Sequence, residues 1–380
     1  MKYNFIHNPD KACRNSWQIF LLLSFLIVTA CSCDNAFEPI DIEEPTIPVD
    51  TAYLSLGIDL NTYHLTRAYE GEAQGTAEEN FVQQVRLVLY DGQQMSSKVV
   101  KCFDFDIRTN TDGSSAAWTD YSSEGKDLAS TTSQNDKTKF ITYARKVPAT
   151  DLKMLVVVNI TPQLKALTEE GSTYQLLTQA VKIENNLSKT DNVGGLAQTN
   201  HFLMTSGPGL ITIPQNKLKA TIREAHNDPV TATVARVVSK VTLESSDGSD
   251  TFPTKNNAAV ADIQWELDIT NRYTYWMAQG TLDPNRELWY WEDPNYSGYG
   301  SRPFNQREEQ FFYFSSLTAP YPQFGKSIKQ SEYCMENTMD ETDQNSDNVI
   351  TRVLIRCIYK PINVNTIGES FYTYDGRTYS

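Results

Sequence analysis

Leu54, Leu56, Ile58 and Leu60 alternate with Ser55, Gly57 and Asp59. Because successive side chains of an extended backbone point to opposite faces, this spacing predicts a strand over 53–60 with one buried side. VRLVLYDG repeats the pattern up to an Asp91-Gly92 turn, and Val99 to Ile107 runs back as its partner. LKMLVVVNI, residues 152–160, is apolar on both faces, as a strand in the middle of a sheet must be. Further strands are expected at Lys139 to Lys146, FLMTSG, LITIP, VTATVARVVSKVTLE, Ile263 to Ile269, FFYFSSL, EYCMENT and TRVLIRCIYK. Helical signals are brief: a T-x-x-E capping box at Thr76 and Glu79, and the stretch from Thr173 to Lys182. The chain is therefore expected to be mainly β with short helices. Its 380 residues exceed what one core usually organises, so two domains are expected, 51–227 and 228–380, divided at the polar break Asn227-Asp228-Pro229.

The amino end has a different character. IFLLLSFLIVTAC, residues 19–31, is an apolar run behind Lys2, Lys11 and Arg14, and it falls short of the ~20 apolar residues that span a bilayer. It ends in Val28-Thr29-Ala30-Cys31, which resembles the lipobox of bacterial lipoproteins. Residues 1–30 read as a signal peptide cut between Ala30 and Cys31, with Cys31 lipidated. Cys33 offers a poorer register, and ordinary secretory cleavage is the alternative. Two or three acyl chains hold a protein to a membrane far better than one. Residues 34–50 carry six carboxylates, three prolines and no base, so 31–50 reads as an extended acidic tether.

Composition excludes several functions. A formal charge of -14 with no clustered Lys and Arg argues against nucleic acid. No G-x-S-x-G, H-E-x-x-H, P-loop or Rossmann glycine pattern is present, so neither catalysis nor a cofactor is expected. No CxxC spacing supports a metal; Asp340, Glu341, Asp343 and Asp347 crowd one stretch but do not match a calcium loop and read as a solvated turn. Cys334 and Cys357 could form a disulfide if their strands are neighbours, with buried thiols as the alternative. The aromatic stretch from Trp276 to Tyr299 suits either a glycan surface or a loop packed onto a sheet.

The most suggestive arrangement is an order of parts: lipid anchor, acidic tether, one alternating strand, then the polar loop NTYHLTRAYEGEAQG with Arg67. A cut between Arg67 and Ala68 would remove the anchor and the strand carrying Leu54, Leu56, Ile58 and Leu60 together. The groove left behind could accept a strand from another subunit. In their order along the chain, AYLSLGIDL, LTRAYEGE, EENFVQQVRLVLYDG, LKMLVVVNI, FLMTSG, VARVVSKVTL, EYCMENT and TRVLIRCIYKP resemble the fimbrillins of Bacteroidales-type bacteria, the subunits of type V pili. The resemblance implies two tandem transthyretin-like β-sandwich domains and export as an outer membrane lipoprotein. It further implies processing at Arg67 by an arginine-specific protease of the gingipain type, and polymerisation with other fimbrial subunits by donor-strand exchange, in support of adhesion. A pilus anchor or ligand-binding lipoprotein would keep residues 31–67.

Overall fold

Apolar alternation becomes strand here, with partners on one edge or on both. The computed structural model describes residues 50–60, 76, 79–108, 128–131, 139–183, 196–198, 201–245, 252–253, 259–283, 288–296, 309–313, 324–335, 337–338, 349–360, 372–374 and 377–379. They are mainly β and belong to one compact unit, Ile47–Ser380.

The first strands are β1 (Thr51–Leu54), β2 (Leu56–Asp59), β3 (Gln84–Tyr90), β4 (Val99–Arg108), β5 (Leu128–Thr131), β6 (Lys139–Thr142), β7 (Arg145–Pro148) and β8 (Leu152–Val158). Hydrogen bonding runs from β8 through β3, β4, β5, β6 and β2 to the Val230–Arg236 strand, then to Met204–Ser206, which pairs with β8 again. Among the described residues the sheet thus curls into a closed path. Ile211–Ile213 also pairs with β8. The β4–β5 and β2–Val230 pairings are parallel.

As LKMLVVVNI predicts, β8 is central: β3 lies on one side, and Met204–Ser206 and Ile211–Ile213 share the other. Leu152 and Met154 to Val158 are buried, and Ser206 Oγ accepts the Val156 N–H at 2.9 Å. The strand ends at Asn159, where φ is 54°, a left-handed conformation that Asn tolerates better than β-branched residues. Thr161 then caps α1 (Pro162–Leu167) by accepting the Leu164 N–H.

Several local expectations shift. The Lys139 to Lys146 strand divides into β6 and β7 at buried Tyr143 and Ala144. The helix expected from Thr173 to Lys182 contracts to α2 (Tyr174–Leu177), because Val181–Lys182 pairs with Tyr273–Thr274 and Val181 and Ile183 are buried in the main core. At Thr76 and Glu79 both capping-box bonds form, but the chain makes a turn there and reaches β3 at Gln84. The Val230–Arg236 strand, placed on sequence at the opening of the second domain, runs in the first sheet beside β2 and follows α3 (Ile222–Asn227). A Cβ at Gly57 would meet Thr231 at 3.5 Å and Pro229 at 3.6 Å, ordinary van der Waals contact, so the approach does not depend on a glycine there.

Beyond Arg236 the strands build a second, two-layered arrangement. Val238–Thr242 pairs with Ser331–Met335, and Ala259–Asp268 pairs with Arg352–Lys360. Trp265 and Leu267 of one layer pack against Cys334, Val241 and Leu243 of the other. Val238, Trp276, Met277 and Met335 belong to the first core, so residues from both halves of the chain fill it. Among the described residues no helix is long and apolar enough to cross a membrane.

Candidate functional site

The segment singled out as removable is held on both sides. β1 pairs with β7 from Thr51↔Pro148 to Leu54↔Arg145, and β2 continues against β6 from Gly57↔Ile141 to Asp59↔Lys139, after a one-residue slip at Ser55. The slip is hydrogen-bonded through side chains: Ser55 Oγ donates to Thr142 O at 2.7 Å, and the Leu56 N–H donates to Thr142 Oγ1 at 3.0 Å. On its other edge β2 runs parallel to Val230–Thr233. Leu54, Leu56 and Ile58 retain 2, 0 and 1 % exposure and belong to the main core. Leu60 is only partly buried at its margin, so three of the four expected side chains fill the groove. Removing β1 and β2 would therefore open the closed path and bare two strand edges and an apolar trough at once.

A polar node lies where the chain re-enters the sheet, after the stretch that contains Arg67. Glu79 is buried; its carboxylate accepts the Thr76 N–H at 2.8 Å, the Tyr333 hydroxyl, and Lys240 Nζ at 2.9 Å. Arg236, at the end of the strand beside β2, donates to Glu79 O at 3.3 Å and to the Asn80 side chain. Lys240 and Tyr333 face each other across the pair of strands beyond Arg236. Glu79 thus ties the first sheet to the next. Burial pushes the Glu79 pKa up, but hydrogen bonds from Tyr333, Lys240 and Thr76, with the Lys240 charge, outweigh it and hold the group below its usual 4.5.

A depressed carboxylate contributes stability that is full above the ordinary value and is lost as pH falls through the folded-state value. Chemical unfolding of the wild-type chain should accordingly show a loss of stability below pH 4.5 that Glu79→Gln lacks. At neutral pH the variant should be less stable by about 1.5–3 kcal/mol, the range for hydrogen bonds to a charged group. Identical pH profiles for the two chains would refute this role.

Buried Asp268 and partly buried Asp293 have comparable structural duties. Asp268 receives Arg352 at 2.8 Å, and Asp293 accepts the Asn271 side-chain amide at 2.7 Å, the Asn295 N–H at 2.8 Å and the Thr338 N–H at 3.0 Å. Among the described residues no group of three or more His, Cys, Asp or Glu side chains is placed to hold a metal ion. Asn159 of the Asn-Ile-Thr sequon is buried, and its amide donates to Phe81 O and Phe202 O, so no glycan can attach there without breaking them.

Ala30, Cys31, Arg67 and Ala68 lie outside the described residues, as do Asp340, Glu341, Asp343 and Asp347. The disulfide is not formed: Cys334 is buried on a strand paired with Val238–Thr242, whereas Cys357 is exposed on a strand paired with Ala259–Asp268. Their strands are not neighbours, so the condition for the bond fails. In the aromatic stretch, Trp276 and Met277 are core residues, and Tyr296 packs on Phe311 while its hydroxyl, with one proton to donate, lies 2.7 Å from Asn337 Oδ1 and 2.9 Å from Val349 O. These members face inward rather than toward a ligand. The side chains of Trp289, Tyr290 and Trp291 lie outside the described residues.

Sequence reasoning missed the Glu79 node, since a capping box says nothing about a lysine and a tyrosine far along the chain. It also missed the parallel strand beside β2, because parallel pairing leaves no turn signal.

No protein-family profile matches the chain, and no curated protein matches it. Twelve chains of solved structures are similar to it, among them the following two. One is a Parabacteroides distasonis protein ascribed to cell adhesion, 13 % identical, with a TM-score of 0.43, covering 83 % of this chain and 81 % of its own. The other is the C-terminally truncated tip fimbrial protein Mfa3 of Porphyromonas gingivalis, 10 % identical, with a TM-score of 0.36 and 81 % of each chain covered.

Proposed function

We propose that this chain is a structural subunit of a cell-surface fimbrium, exported as a lipoprotein on Cys31, cut after Arg67, and polymerised by donor-strand exchange into the groove vacated by β1 and β2. The observation that carries the reading is the position of β2. β2, bonded on one edge to β6 and on the other to Val230–Thr233 with Leu56 and Ile58 buried, leaves a strand-shaped gap when it departs, which Leu54 of β1 extends. The gap would offer backbone donors and acceptors for affinity and alternate apolar sites for register. Arg67 lies within 61–75, the polar stretch that follows β2, where a protease would separate β1 and β2 from everything downstream. The role is mechanical and needs no cofactor. Its partners are other fimbrial subunits, an arginine-specific protease and, before the cut, the outer membrane.

The test is the N-terminal sequence and intact mass of the protein from its native cell surface, compared between sheared filaments and membranes. A start at Ala68 in the sheared material is expected. A lipidated Cys31 as the sole amino terminus would overturn the processed-subunit reading in favour of a retained anchor or binding lipoprotein.

A further inference from the structure

β6 and β7 wall one side of the trough that holds β1 and β2, and that wall carries a bulge. Leu54 lies opposite Arg145 and Gly57 opposite Ile141, so between these pairs Ser55 and Leu56 face three wall residues, Thr142, Tyr143 and Ala144. All three are buried. A bulge breaks the regular exchange of backbone bonds, and here side chains complete it. Ser55, itself 1 % exposed, donates from Oγ to Thr142 O, and Thr142 Oγ1 accepts the Leu56 N–H. The Ser55 carbonyl meanwhile accepts the Val230 N–H at 2.9 Å from the opposite wall. Ser55 thus joins both walls at one point. The extra residue belongs to the wall, not to the strand that lies against it.

We infer that Thr142 selects the strand that fills the trough. An occupant must carry a hydroxyl side chain at the Ser55 position, between two aliphatic residues, and a backbone N–H on the residue after it. The inference rests on the donor-strand reading above and adds to it the chemistry of the partner segment. Alternating apolar residues alone would satisfy the core face at any shift of two residues along the trough, because side-chain direction repeats with that period. The bulge removes that freedom. Once the trough is filled, Thr142 O and Thr142 Oγ1 are acceptors closed to water. A strand that brings alanine to the crossing forfeits the first bond, and one that brings proline after it, with no N–H, forfeits the second. A hydroxyl residue in register makes both and fixes which residue meets Val230.

The probe is the fluorescent peptide AYLSLGIDL, with the sequence of residues 52–60. It is added in excess to the full-length chain nicked after Arg67 by an arginine-specific protease, the two pieces left together, and followed by anisotropy. Its relatives are AYLALGIDL and an ester analogue lacking the N–H that corresponds to Leu56. The parent peptide is expected to enter, and each relative should bind about fivefold or more weakly. These changes lie in the probe, so the fold of the chain is not at issue. A Thr142→Val chain should lose the penalty for the ester yet keep that for alanine, because the carbonyl that accepts the serine hydroxyl remains. In the uncut chain, Ser55→Ala should lower the urea midpoint. Equal binding of the three peptides, or an unchanged midpoint, would overturn the selection and leave strand exchange in place. Failure of every peptide to enter the nicked chain would overturn the exchange reading and the selection with it. A chain that resists cutting at Arg67 would overturn the processing, and the midpoint would then decide the role of the crossing.

Discussion

An Arg67→Ala chain is expected to reach the cell surface with its lipid in place and to form no filaments. Within the proposed function, the uncut β1–β2 segment competes for the same trough as an incoming strand, and it does so as part of the same chain. Tethering gives it an effective concentration that a separate subunit cannot match. Both of its edges are bonded and three of its side chains are buried, so spontaneous release would expose two sheet edges and the core together. Electron microscopy of sheared material, with blotting of the membrane fraction, checks the outcome. Abundant long fibres from the variant would refute gating at this position.

The second large effect is expected at Leu56. This side chain is fully buried in the main core, on the strand that bridges β6 and Val230–Arg236. Leu56→Ala should lower the stability of the uncut chain by about 2–5 kcal/mol, the range for emptying a leucine-sized site in a core that relaxes only partly. Leu60→Ala, at the partly buried margin, should cost clearly less. Urea unfolding read by intrinsic fluorescence measures both, with the midpoint falling and the slope preserved. A loss at Leu56 no larger than at Leu60 would mean that β2 is a surface strand, and a trigger built on its removal would lose its energetic basis. Glu79→Gln tests the neighbouring node, and its pH signature separates the two effects.

Much of this fold was legible residue by residue. The alternation at Leu54, Leu56 and Ile58 marked a strand, although Ser55 and Gly57 between them are buried too, so both of its faces are covered rather than one; the two-sided apolarity of Leu152 to Val158 marked the centre of a sheet. Both follow from the period of an extended backbone, which needs no knowledge of distant residues. Boundaries were less legible. Val181–Lys182 resembled the end of a helix until Tyr273–Thr274 supplied a strand partner, and propensity yields when tertiary pairing is at stake.

By itself, the sequence determined the mainly β character, the central place of β8, and the order in which an apolar run, an acidic stretch, an alternating strand and Arg67 follow one another, because periodicity, hydrophobic length and charge are local properties. The tertiary structure alone decided that Val230–Arg236 lies beside β2 in the first sheet, that Glu79 meets Lys240 and Tyr333, and that Cys334 and Cys357 stay apart. Each is a meeting, or a failure to meet, of residues remote in sequence. Such contacts are set by how strands close around a shared core, and the pattern within any one strand does not encode them.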